Sequence, residues 1–213
     1  EKYWERFGKD HPEYFALRSN GRREPSDPKR PKLVQLCVSN PDLHKQIIDD
    51  WLKNVRSYKG PFINGAENDK TAADEHCFCE KCLAWDPPSR RMTAEEYLET
   101  KDRNPVPNIL SDRYARFWLA LQQAGAEHRE NPIVLGYAYS GYSDPPLEAK
   151  LNENILVAIV PRISYPLEPA RRKLMTDQWD GWRATGARLY LRPNYFLNGY
   201  TLPYIFARQF GED

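Results

Sequence analysis

Three cysteines fall within six residues, at Cys77, Cys79 and Cys82, and the only other one, Cys37, lies forty residues upstream. Thiols this crowded constrain the fold more than any other feature, because a folded chain must reconcile them with a metal or with disulfides. Cys79-x-x-Cys82 has the spacing of a zinc knuckle, in which a tight turn presents two thiolates to one ion. Cys77 precedes the knuckle by two residues and can approach the same point. Cys37 lies in an apolar run, residues 33–38, that reads as a buried strand. If that strand pairs in parallel with the next, which begins at Phe62-Ile63, Cys37 falls beside the loop that follows. Four sulfurs then converge tetrahedrally on one zinc ion, in a closed structural site. His76 adjoins the cluster and can replace one ligand. The other reading is two disulfides, as exported proteins carry. A Cys-x-Cys pair is too close to bridge comfortably, so Cys37 would then take one of the three.

Around this cluster the chain alternates strands and helices. Ser39-Asn40-Pro41-Asp42 is a helix start: a capping side chain, proline at the first helical position, then an acid at the positive end of the dipole. Leu43, Ile47, Ile48, Trp51, Leu52 and Val55 mark one helical face, and Gly60 ends it. Further helices are expected over residues 93–101, from Ser111 as cap, and from Pro169 to a stop at Gly186. Strands are expected over residues 133–139, 155–160 and 187–191, with at most a turn of helix in the crossover at 141–154. Residues 204–206 close the chain with an apolar segment. Such alternation predicts a parallel sheet in one α/β domain spanning residues 1–213. It fits part of a (β/α)8 barrel; an open doubly wound sheet is the alternative. Residues 1–32 read as a helix and hairpin arm with a turn at Asn20-Gly21, and residues 66–108 as a long loop holding the cysteines. The chain opens at Glu1 inside an amphipathic pattern (Tyr3, Trp4, Phe7), and reads as a piece of a longer polypeptide, whose remainder is an expected partner.

The formal charge of +1 carries no electrostatic footprint for nucleic acid. No apolar stretch reaches the roughly 18 residues that a spanning helix needs. Neither glycine-rich phosphate loop occurs. The six Trp and thirteen Tyr are ample for a core, and such a surplus also suits sugar-binding clefts.

In a parallel sheet, function gathers at the C-terminal ends of the strands. There the sequence has Glu67-Asn68-Asp69, the aromatic run that includes Tyr137, Tyr139 and Tyr142, then Arg162, and Asn194-Tyr195. Residues two apart in an extended segment point to one side, so Glu67 and Asp69 can share a cavity. Two adjacent acids repel, one is held protonated, and acid-assisted cleavage of a glycosidic bond needs such a pair. A solvated acidic loop is the plainer reading of the same residues. The tyrosines suit stacking on sugar rings, and Arg162 and Asn194 suit binding of hydroxyls or a carboxylate; rim packing is again the plainer reading.

Four stretches carry a resemblance: DHPEYFAL at 10–17 followed by GRR at 21–23, QLCVSNP at 35–41, and Asn68-Asp69 ahead of Cys77-x-Cys79-x-x-Cys82. In these the chain resembles a bacterial family known mainly as a domain of unknown function, found in large secreted carbohydrate-active proteins. Some members resemble endo-β-N-acetylglucosaminidases. The resemblance implies a (β/α)8 barrel, a glycan substrate that contains acetamido sugars, and an extracytoplasmic location. It marks Asn68 and Asp69 as active-site candidates. On this reading Glu67 is the proton donor, and Asp69, assisted by Asn68, orients the acetamido group or stabilises the positive centre. A non-catalytic carbohydrate-binding barrel and a zinc-stabilised protein-interaction module are the alternatives.

Overall fold

The structure is a computed structural model, and it describes residues 2–56, 62–66, 76–100, 110–161, 167–193 and 211. After α1 (Tyr3–Phe7), 3-10 turns at Pro12–Tyr14 and Pro31–Leu33 bracket the turn expected at Asn20-Gly21. Gly21 takes φ 77 there, and the Asn20 side chain accepts from the Arg22 N–H at 3.0 Å. Left-handed backbone is what makes this a glycine position.

Residues 33–38 do not form the expected strand of the sheet. Pro31, lacking an N–H, opens a 3-10 turn, and the segment beyond it pairs with the arm instead. A single antiparallel bridge joins Phe15 to Leu36, with Ala16 N–H donating to Gln35 O at 3.0 Å and Cys37 N–H to Tyr14 O at 2.8 Å. An apolar run this short is satisfied equally by burial beneath an arm and by burial within a sheet.

The helix start at Asn40 is as the sequence predicts. Asn40 Oδ1 accepts from the Asp42 N–H at 2.9 Å, and α2 runs over Pro41–Arg56. Strand β1 (Ile63–Asn64) follows, then α3 (Glu80–Leu83), α4 (Ala94–Thr100), α5 (Ser111–Ala126), β2 (Val134–Ala138), β3 (Ile155–Ile159), α6 (Pro169–Arg183) and β4 (Arg188–Leu191). Thr93 and Glu96 form a reciprocal capping box ahead of α4: the Glu96 N–H donates to Thr93 Oγ1 at 3.2 Å, and the Thr93 N–H to Glu96 Oε2 at 2.7 Å. Gly186, at φ 98, ends α6 in the left-handed conformation. The segment 204–206 lies outside the described residues.

Among the described residues the strands form an open parallel sheet in the order β1-β2-β3-β4. Among the described residues the order never reverses, and the switch point of a doubly wound sheet does not occur. Right-handed crossovers between successive neighbours put connecting segments on one side. Helix α5 lies against β1, β2 and β3 there, with α2 packed on α5 and β1, and α6 on β4. Trp118 of α5 is fully buried, and its indole N–H donates to Gly65 O at 3.0 Å. A Cβ at Gly136 would come within 2.2 Å of the Trp118 ring, so only glycine lets this helix approach β2 so closely. The opposite face carries Leu135, Tyr137, Leu156 and Tyr190, all half-buried.

The β2-to-β3 crossover holds one 3-10 turn, Ser140–Tyr142, and is tied down by α5. Ser111 is not the expected cap: as the first residue of α5 it donates its hydroxyl to the Asp144 carbonyl. Beside it, the buried Asp112 carboxylate accepts the backbone N–H groups of Leu147, Glu148 and Ala149, each at 2.8 Å. Three successive backbone N–H groups thus hold a carboxylate as a helix N-terminus would. Asp112→Ala strands these donors and is expected to cost about 2–3 kcal/mol. A lower urea midpoint with an unchanged m-value is the expected readout, and an unchanged midpoint contradicts this role.

Candidate metal centre

Each cysteine reaches the centre from a different anchored piece of backbone. Cys37 follows the Phe15–Leu36 bridge, and its own C=O accepts from the Asn40 N–H at 2.9 Å. Cys77 is held to the arm by two bonds: the Phe78 N–H donates to Leu17 O at 2.8 Å, and the Leu17 N–H donates to Cys77 Sγ at 3.2 Å. Cys79 precedes α3 in extended conformation, and Cys82 lies one turn inside it. The knuckle spacing therefore does what the sequence predicts. Cys37 arrives by way of the arm, not through a parallel strand pair.

The four sulfurs lie within 4.8 Å of one another, and all four are free thiols. Cys37 Sγ is 3.6 Å from Cys79, 3.7 Å from Cys77 and 3.9 Å from Cys82. A disulfide would bring two sulfurs to about 2.05 Å. Tetrahedral thiolates at about 2.3 Å from a zinc ion stand roughly 3.8 Å apart. The spacing fits a metal tetrahedron and not a bonded pair, and four cysteines so placed could bind a metal ion. His76 is not part of the tetrahedron. Its ring packs on Phe78 at 4.3 Å and edge-on to Tyr97 at 5.8 Å.

Two of the sulfurs also meet a close polar partner from outside the cluster of thiols. Leu17 N–H serves Cys77, and the Ser39 hydroxyl lies 3.0 Å from Cys82 Sγ. The Arg23 guanidinium donates to Phe15 O and also interacts with Cys37. Burial works against the charge of Arg23, yet the bond to Cys37 and the field of the other sulfurs outweigh it and raise its pKa. The thiols perturb one another through their mutual hydrogen bonds. Cys37 is drawn down to about 7, chiefly by Cys77, and Cys79 is drawn down chiefly by Cys37. The bond to Cys37 pushes Cys77 and Cys82 up. Among adjoining thiols, ionisation of one disfavours ionisation of the next, because like charges repel. Four thiolates at once require a cation between them.

Arg113, fully buried on α5, completes the surroundings. Its Nη1 donates to Cys77 O at 2.7 Å, while Nε meets Asp86 Oδ1 at 3.0 Å and Nη2 meets Asp86 Oδ2. Burial opposes the charge on Arg113, but Asp86 outweighs it and raises its pKa; burial also pushes Asp86 up, with Arg113 opposing. The cluster thereby ties together the arm, the entry to α2, the α3 loop and α5. Arg23, Ser39, Asp86 and Arg113 escape sequence reasoning, although Arg23 falls in the GRR stretch and Ser39 in QLCVSNP.

The strand-end candidates are described only in part. Tyr137 is half-buried on β2, with the Arg192 guanidinium 5.1 Å above its ring. Tyr139 follows β2 in extended conformation, 36% exposed, and two-residue alternation puts it on the same side. Tyr142 is core, stacked on Tyr114 at 4.0 Å, not rim. Glu67, Asn68, Asp69, Arg162, Asn194 and Tyr195 lie outside the described residues. No helix among the described residues is long and apolar enough to cross a membrane.

The chain belongs to the family described as Domain of unknown function (DUF4838), which matches residues 3–208. No curated protein and no solved structure matches it.

Proposed function

We propose that the four cysteines of this family member hold one structural zinc ion, and that the domain so stapled is the barrel-type, glycan-acting portion of a glycoside hydrolase-like protein. One observation carries the metal reading: four sulfurs spaced for a tetrahedron, with the Leu17 N–H on Cys77 and the Ser39 hydroxyl beside Cys82. Donors aimed at sulfur serve thiolates, and neutral thiols have little need of them. Zinc suits a closed all-sulfur set with no open position, which makes it a stapling ion and not a Lewis acid.

The glycan reading rests on the resemblance, and two features of the fold support it. The strand order is the order of a barrel segment, without reversal. In sequence, Glu67, Asn68, Asp69, Tyr139, Arg162 and Asn194 each follow a strand's C-terminal end within five residues. Glu67 is assigned as proton donor, since Ala66 and Gly65 before it are partly or fully buried and burial favours a protonated acid. Asp69 and Asn68 then address the acetamido group, and Tyr137 and Tyr139 offer ring faces to the sugar. The substrate class is a glycan that contains acetamido sugars, and the location is extracytoplasmic.

In the natural full-length protein, Glu67→Gln is expected to slow hydrolysis of a β-N-acetylglucosaminide with a poor leaving group by about 10²–10⁴, with glycan binding nearly intact. Wild-type rates in this variant exclude the acid role. A wild-type protein that binds the glycan without cleaving it is a carbohydrate-binding barrel instead.

A further inference from the structure

We propose that Cys79 is an oxidation site, and that peroxides join it to Cys37 and expel the metal. The proposal rests on the zinc reading and adds to it a specific chemical weakness. Cys37, Cys77 and Cys82 are 4%, 2% and 0% exposed, whereas Cys79 is only half-buried. An oxidant from solvent therefore has its readiest approach at Cys79.

The resolving partner follows from distance and anchoring. Cys37 Sγ lies 3.6 Å from Cys79 Sγ, so a bond of about 2.05 Å needs a closure of only about 1.5 Å. Cys37 is fixed at both peptide groups, to Tyr14 and Asn40, while Cys79, at the entrance of the four-residue α3, is held through its C=O, which accepts from the Leu83 N–H at 2.9 Å. Cys79 is thus the side that moves. The Cys79 thiolate attacks one peroxide oxygen, the O–O bond breaks, and sulfenic acid and hydroxide form. The Cys37 thiolate then attacks the Cys79 sulfur, the S–S bond forms, and a second hydroxide leaves. Two thiolates have given two electrons to the peroxide, and solvent protons turn both hydroxides into water. Zinc is left with Cys77 and Cys82, and two sulfurs do not hold it. A dithiol reductant reverses the bond, and zinc can return.

The test treats zinc-loaded protein with hydrogen peroxide. A chromogenic chelator follows zinc release, and peptides are mapped without reduction. The expected result is one zinc released per peroxide consumed, a first disulfide between Cys37 and Cys79, and recovery of zinc binding after reduction. The peroxide-dependent part of the release, over a control without peroxide, should be at least about tenfold slower in Cys79→Ser, because exposure governs access to the thiolate. Should that variant fail to load zinc, the wild-type peptide map decides alone, and a first disulfide that lacks Cys79 overturns the proposal. Retention of zinc under excess peroxide also overturns it, with the metal reading untouched. Zinc absent before any peroxide is added overturns both.

Discussion

Cys82→Ser is expected to cost about 5 kcal/mol or more, because the energy of a structural metal site is folding energy. Cys82 is fully buried inside α3, so the variant also leaves a hydroxyl where a thiolate belonged. In a domain of this size about 1 kcal/mol moves Tm by roughly 2–4 °C, which predicts a fall of about 10–20 °C. Chelation of the wild-type protein should reproduce most of that fall, and chelation of the variant should add nothing. The reason for so large an effect is architectural. The sulfurs are where the arm, the entry to α2 and the loop before α3 meet. Unfolding curves of the wild-type protein that coincide with and without chelator contradict the stapling role.

Arg113→Met is the second large effect. The side chain is fully buried, holds both oxygens of Asp86, and donates to Cys77 O. Removing it leaves a buried carboxylate without its counter-charge, at a cost of about 3–5 kcal/mol. Replacing both partners, as Arg113→Met with Asp86→Leu, should lose less than the sum of the single changes, since neither charge is then stranded. The pH dependence has a definite sign. Burial already raises the Asp86 pKa with Arg113 present, and it rises further without it. Between the unfolded and the folded pKa, the folded variant then holds a proton that the unfolded chain has released. Its deficit is therefore greatest above the Asp86 folded pKa and shrinks as pH falls through it towards the ordinary carboxylate value. Urea midpoints of variant and wild type that keep the same separation from neutral pH to about pH 4 contradict this assignment.

Features whose physics is local were readable in the sequence. Asn40-Pro41-Asp42 opens a helix because cap, proline and acid each act within one turn. The turn at Asn20-Gly21 needs a left-handed residue, and Gly21 supplies it. Cys79-x-x-Cys82 forms a knuckle because two residues are the span of one tight turn. Residues 33–38 misled because hydrophobicity records burial without naming the partner; their backbone bonds go to Tyr14 and Ala16, some twenty residues back. Ser111 misled in the same way, since its hydroxyl has a distant acceptor in Asp144. Arg23, Asp86 and Arg113 were illegible for a different reason. A lone charge reads as solvated surface, and only the folded neighbours turn it into a buried pair or a donor to sulfur. The acidic pair of Glu67 and Asp69 rests on sequence and resemblance alone.

Elemental analysis of the purified protein, with a thiol count after unfolding in chelator, tests the central claim most directly. The account predicts one zinc per chain and four thiols that react once the metal is removed. A metal content near zero with unreactive cysteines would mean disulfides, and the same metal content with four reactive thiols would mean an empty cluster; either result contradicts a zinc staple.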